Sequence, residues 1–314
     1  MIISKIKICV NALLGLLLCI PEQYTMATPY ILPEAGSSLI GQNKLHITKK
    51  GDYFQEIAER YNVGFYALLA ANPSIDPFLI KPGADVLIPS QMLLPHSERQ
   101  GIVINLAELR LYYFPEHSNI VHVFPVGIGR IGLDTPIMTS YISQKIEKPT
   151  WRPTEATQRR YLETHQKILP KEVPPGPDNP FGDYALRLGY SVYLIHGSNK
   201  RFGIGMRASA GCIRMFDEDI KWLYENIPLN TPVKIINEPL KFSVETDNLL
   251  LIELHEPLTI ENNHQSKEEQ KNKMINVVAK IGGVKNMASE LMETFLEQPT
   301  GLVYKLPIPK TGER

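Results

Sequence analysis

The sequence predicts a mainly β domain, a closed sheet or β-sandwich with short helices. A small α+β module precedes it and a C-terminal helical extension follows. Three observations carry that prediction. Between residues 101 and 143, β-type runs follow one another with no helical stretch between them, as in an antiparallel sheet that closes or stacks on a second. Between 44 and 89 the periodicity runs strand, helix, helix, strand. Beyond Pro239 come a hairpin pattern, a charged run from Ser266 to Lys273, and helical spacing from Met274 to Leu296.

With 314 residues the chain can hold two or three domains and a sizeable core. Basic and acidic side chains balance at 33 each, which argues against a nucleic-acid partner, since that would want a basic excess. The first 27 residues read as an export signal. Lys5 and Lys7 precede an apolar core from Asn11 to Ile20, and Thr25-Met26-Ala27 is a small-residue cleavage site. The apolar run is too short to span a membrane comfortably. Cys9 and Cys19 would leave with the signal, so the exported chain keeps one thiol, Cys212, and no intrachain disulfide is possible. A lone cysteine in an oxidising compartment points to a reactive thiol.

In chain order, Thr28 to Gln42 is aperiodic and reads as a flexible arm. The α+β module spans 42–90. Leu45-His46-Ile47 is its first strand, and Asp52 with Gln55 fits a capping box. Phe54, Ile57, Ala58 and Tyr61 give the first helix, Phe65 to Ala71 the second, and Val86 to Pro89 the closing strand. The β-rich domain spans 99–238. Its strands are expected at Gly101–Asn105, Leu109–Phe114, Ile120–Val126, Thr139–Ser143 and Val233–Ile236. The segment from Trp151 to Phe181 is rich in proline, with a short helix near Ala156 to Leu162, and reads as a lid. After Cys212, Asp217 is a candidate N-cap for a helix with Ile220, Leu223, Tyr224 and Ile227 on one face. The extension, 239–314, shows no chemistry and reads as a packing or interaction element.

The chemistry concentrates between His196 and Met215. An apolar run, Val192 to Ile195, ends in His196, and a second begins at Cys212. Adjacent strands would bring the thiol and the imidazole together as a nucleophile and its base. The N–H groups of Ala210, Gly211 and Cys212 would form an oxyanion hole. Arg214 lies two residues past the thiol, on the same face of a strand, and could clamp a carboxylate; its alternative is a structural ion pair. The loop 197–208 carries Gly197, Gly203 and Gly205 and the cations Lys200, Arg201 and Arg207, which suit an acidic substrate. Ser209, Gly197 and Arg214 are the candidate substrate-binding residues. The remaining histidines show no metal-ligand spacing, so neither a metal nor a cofactor is expected.

Two resemblances follow. Lys50-Gly51-Asp52, Ile57-Ala58, Tyr61-Asn62-Val63, Ala71-Asn72-Pro73, Lys81-Pro82-Gly83 and Leu87-Ile88-Pro89 resemble a lysin motif (LysM), which implies binding to glycan strands containing N-acetylglucosamine. Tyr53-Phe54 departs from the pattern, which usually has a small hydroxyl residue after the aspartate. His196-Gly197 and Ser209-Ala210-Gly211-Cys212-Ile213-Arg214 resemble the catalytic motif of L,D-transpeptidases. The likeness extends through Gly101 to Leu106, Phe124 to Gly129 and Pro175 to Pro180. Ala210 stands where many members carry histidine or glutamine.

That resemblance implies the L,D-transpeptidase catalytic fold and catalysis by Cys212 and His196 on peptidoglycan stems, without a cofactor. It implies a periplasmic location and acylation of the cysteine by carbapenems. The acceptor stays open between a second stem's amine and the lysine of an outer-membrane lipoprotein. Hydrolysis of the thioester by water, as an L,D-carboxypeptidase or endopeptidase, and a catalytically silent wall-binding protein are the alternatives. A dithiol redox role lacks its second cysteine.

Overall fold

A computed structural model describes residues 27–34, 36–245, 249–258, 272, 276 and 297–307. The predicted export signal up to Met26 lies outside them. So do the charged run and the helical tail, apart from 272 and 276. No helix among the described residues is long and apolar enough to cross a membrane.

The chain opens with two short strands, β1 (Thr28–Ile31) and β2 (Leu39–Ile40). The small module follows as β3 (Lys44–Ile47), α1 (Phe54–Arg60), α2 (Phe65–Ala71) and β4 (Asp85–Ile88), with β3 and β4 paired antiparallel. Phe54, Ile57, Leu68, Val86 and Ile88 fill its core. Asn72 stitches α2 to β4. Its amide donates to the carbonyls of Leu68 and Leu87, and its oxygen accepts from Leu87 N–H, each at 2.8 Å. The expected capping box does not form. Tyr53 occupies the N-cap of α1 without a side-chain bond. Asp52 turns back instead, accepting from Lys49 N–H at 2.8 Å and facing His46 Nε2 at 2.9 Å.

β5 (Met92–Leu93) leads into the main domain. Its elements are β6 (Gly101–Asn105), β7 (Arg110–Phe114), β8 (Ile120–Pro125), β9 (Ile128–Gly129), β10 (Met138–Glu147) and α3 (Glu155–His165). Then come β11 (Tyr184–Leu188), β12 (Leu194–His196), β13 (Arg207–Ser209), β14 (Ile213–Arg214), α4 (Asp217–Asn226) and β15 (Pro232–Ile236). Nine strands form one sheet in the order β1-β8-β7-β6-β15-β10-β11-β12-β14. The sheet curls around a single core that joins Ile102 on β6 to Ile213 on β14, with Ile220 and Leu223 of α4 inside it.

Alternation explains how both faces of β6 to β8 are buried. Ile102, Ile104, Leu111 and Phe124 enter the main core, while Val103, Tyr112, Val121 and Val123 face a second cluster with Ile40, Met92 and Leu94. The N-terminal arm is therefore not flexible. β1 pairs antiparallel with β8 at the sheet edge, and β2 pairs with β5 across the second cluster. Nor is the sheet purely antiparallel. β15 runs parallel to β6 and β12 parallel to β14. Parallel neighbours need a crossover connection, which short turns cannot supply.

The described part of the extension is mainly a β-sheet, with Asn272, Asn276 and Glu297 in helical conformation; the rest of the expected helical stretch lies outside the described residues. β16 (Leu240–Val244), β17 (Leu249–Leu254) and β18 (Val303–Pro307) form an antiparallel sheet. The first two are the expected hairpin; the third returns from the far end of the extension. This sheet is fixed to the main domain through buried charge. Lys241 Nζ lies 2.7 Å from Glu108 Oε2 and 3.0 Å from Glu253 Oε2, and donates to Leu93 C=O at 2.5 Å. Arg110 Nη1 bridges the same two carboxylates at 3.0 and 3.1 Å.

Candidate active site

β12 and β14 pair in parallel, Ile195 opposite Ile213 and His196 opposite Arg214. Ile195 and Ile213 are fully buried in the main core. Side chains alternate along a strand, so His196 and Arg214 stand on the other face, and Cys212, two residues before Arg214, joins them. Parallel pairing thus assembles residues sixteen positions apart in sequence.

Cys212 is partly buried, and its sulfur accepts a hydrogen bond from the Leu194 backbone. Burial pushes the thiol above its ordinary pKa; the Leu194 bond, Arg214 and Arg187 pull the other way without overcoming it. His196 is buried, and its pKa is pushed down to about 3, first by desolvation and then by Arg214. Burial thus disfavours the charged form of both groups.

The tautomer of His196 follows from its neighbour. Nδ1 lies 2.6 Å from the carbonyl oxygen of Gly197, which can only accept. Nδ1 therefore carries the proton, and Nε2 keeps a lone pair for a base. Phe181 packs its ring on the imidazole, centroids 4.6 Å apart, so the end of the proline-rich segment reaches the site.

Two of the residues expected to meet substrate, Ser209 and Gly197, are tied into the frame of the site. Ser209 is buried; its hydroxyl donates to Cys212 C=O at 2.5 Å and accepts from Gly211 N–H at 3.1 Å. That bond also commits the Gly211 amide, leaving those of Ala210 and Cys212 as candidate oxyanion donors. Gly197 is buried against Asp217, whose Oδ1 would lie 2.0 Å from a Cβ there and accepts from Ser198 N–H at 3.0 Å. Asp217 is thus not the N-cap of α4, a place taken by Phe216; it holds the chain just past His196.

Thr135 supports the thiol from a distant segment, donating to Gly211 C=O and accepting from Gly129 N–H, both at 2.9 Å. Nothing in the local sequence marks Thr135 or Asp217 for these roles, because each acts across a tertiary contact.

The cations divide in the same way. Arg207 pairs with Asp134 at 2.5 Å, and Arg201 pairs with Glu59 and Glu218, so neither is a spare charge for an acidic substrate. Arg214 has no carboxylate partner among the described residues, and its buried Nε has no hydrogen bond. Burial lowers its pKa, with Cys212 opposing and Arg130 adding to that. Its backbone is fixed by a reciprocal pair of bonds with Gly127, at 2.9 and 2.8 Å.

Three family models match the chain. The L,D-transpeptidase catalytic domain covers residues 99–235, the L,D-transpeptidase C-terminal domain 239–305, and the LysM domain 46–89. The chain is 49% identical over 238 residues to the Escherichia coli (strain K12) protein "Probable L,D-transpeptidase YcfS", covering 74% of each. It is 40% identical over 284 residues to "Probable L,D-transpeptidase YbiS" of the same organism, covering 89% of this chain and 92% of that one. The chain belongs to the L,D-transpeptidase family.

For an L,D-transpeptidase, the matched catalytic region contains every candidate residue named above, from His196 to Arg214. The match over 239–305 gives the extension an identity that composition and periodicity did not supply. In the L,D-transpeptidase chain the proline-rich segment is anchored at its end by the buried Asn179. Its amide donates to Pro149, Val173 and Pro174 carbonyls at 2.8 to 3.1 Å, and its oxygen accepts from Phe181 N–H. By contrast α3, within the same segment, buries none of its side chains.

Proposed function

We propose that Cys212 is the nucleophile of a periplasmic peptidoglycan L,D-transpeptidase, with His196 as its base. The observation that carries this is the shared face of β12 and β14. It supports the reading because Cys212 directly precedes the Ile213 that pairs with Ile195, next to His196, and the bond from His196 Nδ1 to Gly197 leaves the Nε2 lone pair for a proton. The first 27 residues serve as the export signal, and the LysM module holds the protein on glycan strands.

The thiol proton passes to His196 Nε2 as sulfur attacks the diaminopimelate carbonyl of a tetrapeptide stem. The tetrahedral oxyanion takes hydrogen bonds from the N–H groups of Ala210 and Cys212. Arg214, a cation without a carboxylate partner among the described residues, receives a carboxylate of the stem. The C–N bond then breaks. His196 returns the proton to the departing D-alanine amine, leaving a thioester on Cys212. An incoming amine attacks the thioester, His196 takes its proton, and sulfur leaves as the thiol. The closed environment that makes Cys212 a poor acid at rest also limits water, which favours an amine as acceptor.

Purified protein incubated with disaccharide tetrapeptide, with and without a lysine-terminated peptide, should release D-alanine and form a crosslinked dimer or a peptide adduct by mass. Cys212→Ala should lower the rate by at least about a thousandfold. Tripeptide as the sole product would make the enzyme a carboxypeptidase. No product from the intact protein would make it a wall-binding module, and a Cys212→Ala protein of undiminished rate would remove the nucleophile assignment.

A further inference from the structure

The LysM module is docked on the loop that joins His196 to Cys212. Tyr66 N–H, in the first turn of α2, donates to Gly205 C=O at 3.1 Å. Gly64 and Gly205 meet back to back. A Cβ on Gly205 would lie 2.2 Å from Gly64 Cα, and one on Gly64 would lie 3.1 Å from Gly205 Cα. Gly205, with φ +70, leaves no room for a side chain, and one on Gly64 would be tight. Beside them Arg201 of the loop pairs with Glu59 of α1 and, at 3.0 Å, with Glu218 of α4, and lies over the Phe216 ring at 5.3 Å.

The contact continues inward to the site. Gly205 N–H donates to Val126 C=O at 3.2 Å, and Ile128 N–H to Met206 C=O at 3.0 Å. Gly127, between them, makes the reciprocal pair of bonds with Arg214. A Cβ on Gly203 would lie 3.7 Å from Arg214 Nη1. The path from the module to Arg214, whose buried Nε has no hydrogen bond among the described residues, therefore passes through directly bonded backbone. A module needed only for anchorage would require none of these contacts; a flexible linker would hold it to the wall as well.

We infer that the LysM module is a positioning element of the active site. Through Glu59, Arg201 and the Gly64–Gly205 contact it holds the 201–205 loop, and with it Arg214, in place for acylation of Cys212. The inference rests on Cys212 being the nucleophile. It concerns the donor half-reaction and acts even on a molecule too small to touch the module. Glu59 and Arg201 are positioning residues and touch no reacting atom.

The experiment uses the full exported chain and a carbapenem, a small acylating probe. Acylation rates are read by intact mass and normalised to titrated active sites, beside thermal unfolding and binding to insoluble peptidoglycan. Glu59→Gln and Arg201→Gln should each slow acylation roughly fivefold to tenfold. The double variant should be no slower than Arg201→Gln alone, because Glu59 acts through Arg201. Arg201→Lys, which keeps the charge, should recover most of the rate, and wall binding should stay unchanged throughout. On the disaccharide tetrapeptide the loss should fall on kcat more than on KM. Variants that melt earlier but acylate at the wild-type rate would overturn the inference, as would additive losses in the double variant. A wild-type protein that the carbapenem does not acylate on Cys212 would instead overturn the assignment of the nucleophile.

Discussion

Lys241 and Arg214 are both cations withdrawn from water by the fold, and their surroundings treat them differently. Lys241 lies between Glu108 and Glu253, and Arg110, Tyr112 and His255 add further bonds to the same carboxylates. Burial alone would raise the pKa of both glutamates, yet Lys241 and its neighbours hold them below the usual carboxylate range. Glu108, Glu253 and His255 are residue types that can bind a metal, but the ammonium already fills the space between the carboxylates. Around Arg214 the balance is left open. Its Nε is buried and has no hydrogen bond among the described residues, burial holds the nearby thiol above its ordinary pKa, and His196 Nε2 keeps its lone pair. A satisfied network fixes two domains together, whereas an unsatisfied one can be completed by a ligand.

Breaking the closed network should give the largest effect. Lys241→Met takes the ammonium from between two buried carboxylates that Arg110, Tyr112 and His255 still contact, and should cost about 3–5 kcal/mol, read by denaturant unfolding. Replacing Lys241, Glu108 and Glu253 together by apolar residues should restore most of the loss, since no charge is then left stranded. If the single variant cost less than about 1 kcal/mol, the cluster would not be what joins the extension to the main domain. At the open network the expectation is reversed. Arg214→Met removes a cation with no protein partner to strand, so stability should change little. The rate on tetrapeptide, as kcat/KM, should fall about tenfold to a hundredfold, the worth of a charge-assisted bond.

Asp219 is the same experiment already done by the fold on a carboxylate. It is as buried as Glu253, but its one bond is from Ala27 N–H at 3.3 Å, and its Oδ2 has no partner. Its pKa is accordingly raised by burial from 3.8 to about 7, the opposite of Glu253. A carboxyl raised in the folded state binds its proton more tightly than the unfolded chain does. The associated stability is full below pH 3.8 and is lost as pH rises towards 7. Asp219→Asn should therefore raise Tm at pH 8, by about 1–2 kcal/mol in stability, and change it little at pH 4. Equal effects at both pH values would show that Asp219 finds a cation among its neighbours.

The sequence exposed what depends on local pattern. The strands Gly101–Asn105 and Val233–Ile236, both LysM helices, and the link between His196 and Cys212 could be read from periodicity and motif. Contacts that tertiary structure makes were not readable. The Thr28–Gln42 arm looked aperiodic because its order comes from pairing with β8 and β5, outside itself. Asp52 and Asp217 have the residue type and position of helix caps, and both spend their carboxylates elsewhere. Arg201, Arg207 and Arg214 look alike in sequence; only Glu59, Glu218 and Asp134, all remote in the chain, show which one is left unpaired. In the extension the hairpin was visible, but β18 was not, since its partner lies about fifty residues earlier.

The finest contrast between the networks lies in how they titrate. His196 is held neutral down to about pH 3, so the rate of Cys212 acylation should show no limb near pH 6.5, where an ordinary histidine loses its proton. The rate should instead climb with pH up to the raised pKa of the thiol. Arg214 acts on both groups in one direction, since its charge disfavours imidazolium and favours thiolate. Arg214→Met should therefore move the alkaline limb further up and let the His196 ring resonances titrate at higher pH by NMR. Each shift should be on the order of one pH unit, in line with a single charge acting in a partly buried site. A limb near pH 6.5 in the wild-type protein would mean that His196 becomes cationic, and that the thiol and imidazole rest as an ion pair. Unchanged titration of both groups in the variant would mean that Arg214 faces away from them, although it pairs with His196 across β12 and β14.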